Sequence, residues 1–282
     1  MIISYRVVNN KKFFIGEWGT QKDVAVVGIH GLTANAYHMS AISEFLHSKK
    51  RHVLAYDLRS RGDSDPMDAP SSMYKHAVDA KDFVEALPAK KVVLLGYSMG
   101  AFIAAMAAEM SKKIAGMVFL DGGGVFPKVD AEKLVPSLSR MDDVFDTQEA
   151  YIERVKANYD VLGLPWTSYI EAAVEHEIAH IPGGTCRYKG DSERIQEDLQ
   201  SIADYDHESV YKKIPCPVLL VHAKGGLGQG APLYSEESYK LAHKHIKNLT
   251  FHQIEANHYT IMLQKQPEMN GVVDAFLTSC GV

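Results

Sequence analysis

Five short apolar runs recur along the chain: VAVVGI (24–29), HVLAYD (52–57), KVVLLGY (91–97), GMVFLD (116–121) and PVLLVHA (217–223). They are apolar at successive positions rather than at alternate ones, which predicts strands buried on both faces, as in a parallel sheet. LTFHQIE (249–255) predicts one more strand. Between these runs, 36–49, 73–86, 99–112, 234–245 and 262–279 have helical spacing and length. Such alternation predicts an α/β fold with a mostly parallel central sheet and helices on both faces. Two further strands, 2–8 and 11–17, flank Asn9-Asn10, so the sheet should begin as an antiparallel hairpin.

The rhythm breaks once. From Gly122 to about Lys213 no run reads as a strand, and helical patterns take over at 131–139, 147–160, 167–180 and 191–205. That is too long for a loop. It predicts a helical cap, residues 124–212, inserted between two strands of a core made of residues 1–123 and 213–282.

Composition narrows the class without naming it. The chain has 282 residues, 46% apolar and 23% charged, enough for one large domain or one domain with an insertion. A net charge of −5 offers no basic surface for nucleic acid or an anionic membrane. Cys186, Cys216 and Cys280 are odd in number and far apart, which argues against a disulfide framework and predicts a reducing, cytoplasmic setting. At the N-terminus Lys11 and Lys12 follow the short apolar stretch, the wrong order for a signal peptide, and no apolar run reaches membrane-spanning length.

The chemistry concentrates in VVLLGYSMGAFIAAMAAEM. Gly96-Tyr97-Ser98-Met99-Gly100 matches G-x-S-x-G, and its setting is a buried strand before and an Ala-rich helix after. A nucleophile elbow needs that strand–turn–helix context: the sharp turn lifts Ser98 above the sheet, at the positive end of the next helix. The alternative, a Gly-rich βα turn whose serine merely caps the helix, is disfavoured by that context. A hydroxyl still needs a base. Neutral histidine suits the task, and of 13 histidines only His258, in ANHYTIM, follows a C-terminal strand and precedes the last helix.

With these motifs the chain resembles the α/β-hydrolase superfamily, as a capped serine hydrolase of carboxylesterase or lactonase type. His30-Gly31-Leu32 after a strand matches the family's HG turn, and DLRSRGDSD (57–65) resembles its DxRGxGxS loop with Ser60 in place of the usual glycine. The resemblance implies Ser98 as nucleophile, His258 as base, and the backbone N–H groups of Leu32 and Met99 as oxyanion donors. It leaves the acid open. The family usually keeps it after the strand 217–223, but no Asp or Glu occurs from 221 to 235, and the first candidates are Glu236 and Glu237. A second family placement falls on Asp121, at the end of the strand beside the elbow, 23 residues beyond Ser98 and followed by three glycines, and with the usual site empty Asp121 is the expected acid.

Other signals are weaker. His176-Glu177-Ile178-Ala179-His180 matches H-E-x-x-H, which on a helix would set two histidines on one face for zinc. Without an evident third ligand it reads better as a polar helix face, or as histidines near a substrate entrance. Met141, Phe145, Tyr151, Tyr159, Leu162, Leu164, Trp166 and Tyr169 read mostly as cap core, with a few facing the serine. Arg187 and Lys189 could meet an acidic group but read better as solvated charges. The expected activity is hydrolysis of a small, partly apolar carboxylic ester or lactone, with no cofactor and no metal. A C–C bond hydrolase of vinylogous diketones would carry the same Ser–His pair. A ligand sensor turning over slowly on a hydrolase scaffold is a reading of a different class.

Overall fold

The computed structural model describes residues 1–125, 138 and 140–282. The strands are β1 (Ile2–Val8), β2 (Lys11–Trp18), β3 (Val24–Ile29), β4 (Val53–Tyr56), β5 (Lys91–Tyr97), β6 (Ile114–Leu120), β7 (Val144–Phe145), β8 (Ile178–His180), β9 (Cys186–Tyr188), β10 (Val218–Ala223) and β11 (Leu249–Ile254). Eight of them form one sheet in the order β1-β2-β4-β3-β5-β6-β10-β11. The pairs β1–β2 and β2–β4 are antiparallel, and all others in this sheet are parallel. Asn9 and Asn10 turn the first hairpin at φ 50° and 61°, the left-handed conformation that asparagine tolerates.

The inner strands β3, β4, β5, β6 and β10 are buried on both sides, as the unbroken apolar runs predict. Along β5, Val92 and Leu94 join one hydrophobic cluster while Val93 and Leu95 join the other. On one face lie α2 (Met73–Ala86) and α3 (Met99–Ala107). On the opposite face lie α1 (Ser40–Ser48) and the C-terminal helix Pro267–Ser279. Ala101, Ala104, Ala105 and Ala107 of α3 are all buried, and their small side chains let that helix sit close to the strands. The chain leaves β3 toward β4 and returns to β5 on β3's other side. That reversal opens a crevice at the carboxyl ends of β3 and β5, where ligands of such sheets bind.

Between β6 and β10 the structure departs from an all-helical expectation. α4 (Gln148–Val161), α5 (Ser168–His176), α6 (Ser192–Ala203) and α7 (His207–Lys212) are present, but β7, β9 and β8 pair as a separate antiparallel sheet. The helix predicted over 167–180 therefore ends at His176. Ile178 pairs with Tyr188 and His180 with Cys186, and Gly183 and Gly184 turn the hairpin at φ 100° and 88°. Pro182-Gly183-Gly184 was a legible turn signal that outweighs the weak helical period around it. The helix predicted over 131–139 falls on residues outside those described, apart from Leu138. No helix among the described residues is long and apolar enough to cross a membrane. Cys186, Cys216 and Cys280 are free thiols.

Candidate active site

Ser98 sits between β5 and α3 with φ 53° and ψ −116°, a strained conformation for a residue with a side chain. The two motif glycines make the turn possible. A Cβ on Gly96 would collide with the Gly100 carbonyl, and one on Gly100 with the Ile29 carbonyl. Gly122, after β6, is needed too, because a Cβ there would strike the Ser98 backbone. Ser98 is only partly buried and lines a small cavity of about 40 Å³ together with Leu32, His38, Arg140, Tyr159 and His258. That is room for about three water molecules.

Asp121 and His258 meet at the same sheet edge. His258 Nδ1 lies 2.7 Å from Asp121 Oδ2, and both residues are buried. The other carboxylate oxygen, Oδ1, accepts from the Ala223 N–H at 3.0 Å and from the Tyr239 hydroxyl at 3.1 Å. Asp121 holds φ 43°, with its own N–H bonded to Val221 O at 2.8 Å. Neither rival carboxylate comes close. Glu236 and Glu237 are exposed; one accepts from Gln253 at 3.5 Å and the other pairs with Lys240. The segment 224–230 carries no acid because the orienting contact comes from β6 instead. His258 is placed by its own turn: Asn257 Oδ1 accepts from the N–H groups of Tyr259 and Thr260, and the Tyr97 hydroxyl donates to His258 O at 2.8 Å. With Nδ1 engaged by Asp121, Nε2 is the nitrogen left for the cavity shared with Ser98.

The HG turn has a tautomer of its own. The Leu58 N–H donates to His30 Nε2 at 2.9 Å, so His30 carries its proton on Nδ1, which donates to Gly31 O at 2.8 Å. Gly31 O also accepts from the Ala34 N–H at 3.3 Å. That carbonyl belongs to the same peptide unit as the Leu32 N–H, which points the opposite way in a trans peptide. Fixing the carbonyl therefore fixes the donor. Met99 is the first residue of α3, so its N–H lies at the helix's positive end without an intrahelical partner.

Comparison with known proteins decides the family. The alpha/beta hydrolase family model matches residues 26–268. The chain belongs to that family. Among curated relatives, the human serine hydrolase BPHL is 25% identical over 238 residues, spanning 82% of this chain and 71% of that protein. A serine hydrolase-like protein of Dictyostelium discoideum is 24% identical over 224 residues, 72% of this chain and 61% of its own. Among solved structures, E-2-(acetamidomethylene)succinate hydrolase superposes with a TM-score of 0.82 at 18% identity, covering 98% of this chain and 99% of that one. The N-acyl homoserine lactonase AidH superposes at 0.73 with 14% identity, covering 99% and 98%. At these identities the superpositions establish the fold.

Within this α/β hydrolase the remaining motifs take structural places. Ser60, where the family's loop usually has glycine, adopts φ 62°, and its hydroxyl accepts from the Met67 N–H at 2.8 Å. The H-E-x-x-H histidines do not share a helical face, because α5 ends at His176 and His180 lies on β8. His176 Nε2 lies 2.7 Å from Asp57 Oδ2, and its ring packs against those of Phe14 and Tyr37. Glu177 accepts from Arg140, Nε to Oε1 and Nη2 to Oε2, each at 2.9 Å. Lys189 pairs with Asp63 at 2.8 Å, and Arg187 donates to Tyr188 O. Of the aromatic residues between β6 and β10 that the sequence singled out, Tyr159 faces the cavity and Tyr151 is buried against Glu177.

Sequence reasoning missed Tyr239, His38 and Arg140. A buried tyrosine has no pattern of its own, but Asn35-x-x-His38 is a capping box written in the chain, with Asn35 capping the turn Ala36–Met39. Tyr239→Phe removes one of the three contacts on Asp121 and should lower kcat by about threefold to tenfold, part of the worth of one hydrogen bond to a charged group, because the Ala223 N–H and His258 still hold the carboxylate. Steady-state kinetics that show no change would mean the hydroxyl does not steady the acid.

Burial pushes the pKa of both His30 and His38 down to about 3. Both rings are thus neutral in the folded protein, whereas the unfolded chain protonates them below about 6.5. The unfolded state then binds more protons, so their contribution is complete above about pH 6.5 and is lost as pH falls toward 3. Stability should drop by roughly 2 kcal/mol per ring between pH 7.5 and 5. Urea midpoints at the two pH values check this; equal midpoints would contradict it.

Proposed function

We propose that this α/β hydrolase cleaves small carboxylic esters or lactones through an acyl-Ser98 intermediate, with residues 124–212 as a cap over the crevice. The observation that carries the reading is the His258–Asp121 contact at the sheet edge where the strained elbow presents Ser98. His258 Nε2 takes the proton of Ser98 Oγ as that oxygen bonds to the carbonyl carbon. Negative charge on the former carbonyl oxygen is met by the Leu32 and Met99 N–H groups. The tetrahedral adduct collapses, His258 returns the proton to the leaving alkoxide, and the alcohol departs from an ester or stays tethered to the acyl chain of an opened lactone. Water, deprotonated by His258, then releases the acid and restores Ser98. Asp121 holds the imidazole in the tautomer with its proton on Nδ1 and steadies the imidazolium that forms.

The small cavity supports a short acyl chain over a fatty one. The chemistry draws its nucleophile from Ser98 and its electrophilic help from backbone amides, so incubation with EDTA should leave the hydrolysis rate unchanged. Loss of rate restored by zinc would contradict the mechanism. A panel of p-nitrophenyl esters from acetate to octanoate, run beside γ- and δ-lactones, tests the substrate class. Turnover of short esters or lactones is expected; turnover confined to vinylogous diketones would overturn the ester reading.

A further inference from the structure

We infer that His38 is a specificity-determining residue whose Nε2–H binds an uncharged oxygen acceptor, a keto, ether or ring oxygen, on the short acyl chain attached to Ser98. This rests on the acyl-serine reading above and sharpens it to a substrate class.

His38 lines the same cavity as Ser98, Leu32 and His258. Its tautomer is set from behind. The Asn35 N–H donates to His38 Nδ1 at 3.3 Å, and an accepting nitrogen carries no proton. Asn35 Oδ1 lies equally close to Nδ1. That oxygen already accepts from the Tyr37 N–H at 3.0 Å, while Asn35 Nδ2 donates to Ala173 O in α5 at 2.8 Å, so the amide cannot be turned round. A proton on Nδ1 would leave the rigid Asn35 N–H buried against another N–H. A proton on Nε2 leaves every group partnered at that end. The ring is also kept neutral: burial lowers its pKa to about 3, with the Arg140 charge acting the same way and outweighing the opposing pull of the Asn35 backbone. What remains is one neutral donor on a ring that lines the cavity, held by a capping box and by α5.

The cavity favours a neutral partner for that donor. Arg140 also lines it, but the guanidinium is met by the Glu177 carboxylate on two atoms. Among the described lining residues there is no other Lys, Arg, Asp or Glu. A substrate carboxylate would therefore enter without an uncompensated countercharge, at the cost of burying an ion. A purely apolar chain would leave the Nε2–H without an acceptor. Sites built around a buried donor discriminate strongly against analogues that cannot bond to it. The acyl chain is the part concerned, because it stays on Ser98 while the alcohol must escape, and the space beside Ser98 is small and bounded by Arg140 and Tyr159.

p-Nitrophenyl methoxyacetate and p-nitrophenyl butyrate differ by one oxygen in place of one CH2, so they isolate the acceptor. The readout is the ratio of their kcat/KM values, divided by the ratio of their hydroxide hydrolysis rates, for wild type, His38→Leu and His38→Gln. Melting temperature and fluorophosphonate labelling of Ser98 establish that each variant is folded and competent. Wild type should prefer the ether by about tenfold or more. The leucine variant should lose that preference and the glutamine variant, which restores an N–H at the same reach, should recover most of it. A corrected ratio that stays within about twofold across the three proteins while esters turn over briskly overturns this inference alone. Should the leucine variant not fold, a wild-type ratio near that of hydroxide overturns it equally. Preference for p-nitrophenyl hydrogen succinate over both neutral esters would assign recognition to Arg140 and overturn it too. Failure of wild type to turn over any of the three esters would instead overturn the ester reading, and this inference with it.

Discussion

Ser98→Ala should abolish ester hydrolysis, lowering kcat by on the order of 10⁵ or more, with the fold intact. The substitution removes one partly exposed oxygen and opens no core cavity. The strained backbone is set by Gly96, Gly100 and Gly122 around the turn, not by the hydroxyl. The melting temperature should therefore stay within about 2 °C of wild type, the shift expected from a change below about 0.5 kcal/mol in a chain of this size. Substrate binding should survive, because the cavity walls and the N–H groups of Leu32 and Met99 are untouched. Hydrolysis retained above about a tenth of wild type would remove Ser98 from the mechanism.

Asp121→Asn should lower kcat by on the order of 10⁴ with little loss of stability. The surroundings of Asp121 say how the new amide would sit. The Ala223 N–H and the Tyr239 hydroxyl both donate to Oδ1, so an oxygen must remain there. The NH2 group is then forced toward His258 Nδ1, which must become an acceptor. That moves the imidazole proton to Nε2, the nitrogen that has to take the Ser98 proton. The damage is thus to a tautomer rather than to packing. Asparagine also tolerates the φ of 43° that the position demands. Glu236→Gln and Glu237→Gln, at exposed positions facing other partners, should each change kcat less than twofold. Near-normal kcat in the Asp121 variant, or a large loss in either glutamine variant, would reassign the acid and leave Ser98 and His258 where they stand.

Most of the scaffold was legible because its strands are buried on both faces. An unbroken apolar run such as VAVVGI or KVVLLGY has few other uses, and the predicted bounds of β3, β5 and α2 coincide with those observed. Ser98 was legible because an elbow imposes two glycines at fixed offsets. The region between β6 and β10 was harder. Its three strands are two or three residues long, too short for an alternation to register, and they are held by pairing with distant segments. H-E-x-x-H misled for a related reason: the motif assumes a continuous helix, and the hairpin at 178–188 ends it after the first histidine. Asp121 at a sheet edge and its pairing with His258 could be read from the sequence, but its other two partners could not. Ala223 and Tyr239 lie more than 100 residues away and are brought in by the β6–β10 pairing.

The central claim is that Ser98 is the nucleophile activated by His258. A fluorophosphonate probe, followed by intact mass and peptide mapping, tests it without knowledge of the natural substrate. One adduct per chain is expected, on the peptide containing Ser98. That adduct should be absent in Ser98→Ala and formed far more slowly in His258→Ala. Stoichiometric labelling of another residue, or no labelling of a protein that hydrolyses esters, would contradict it.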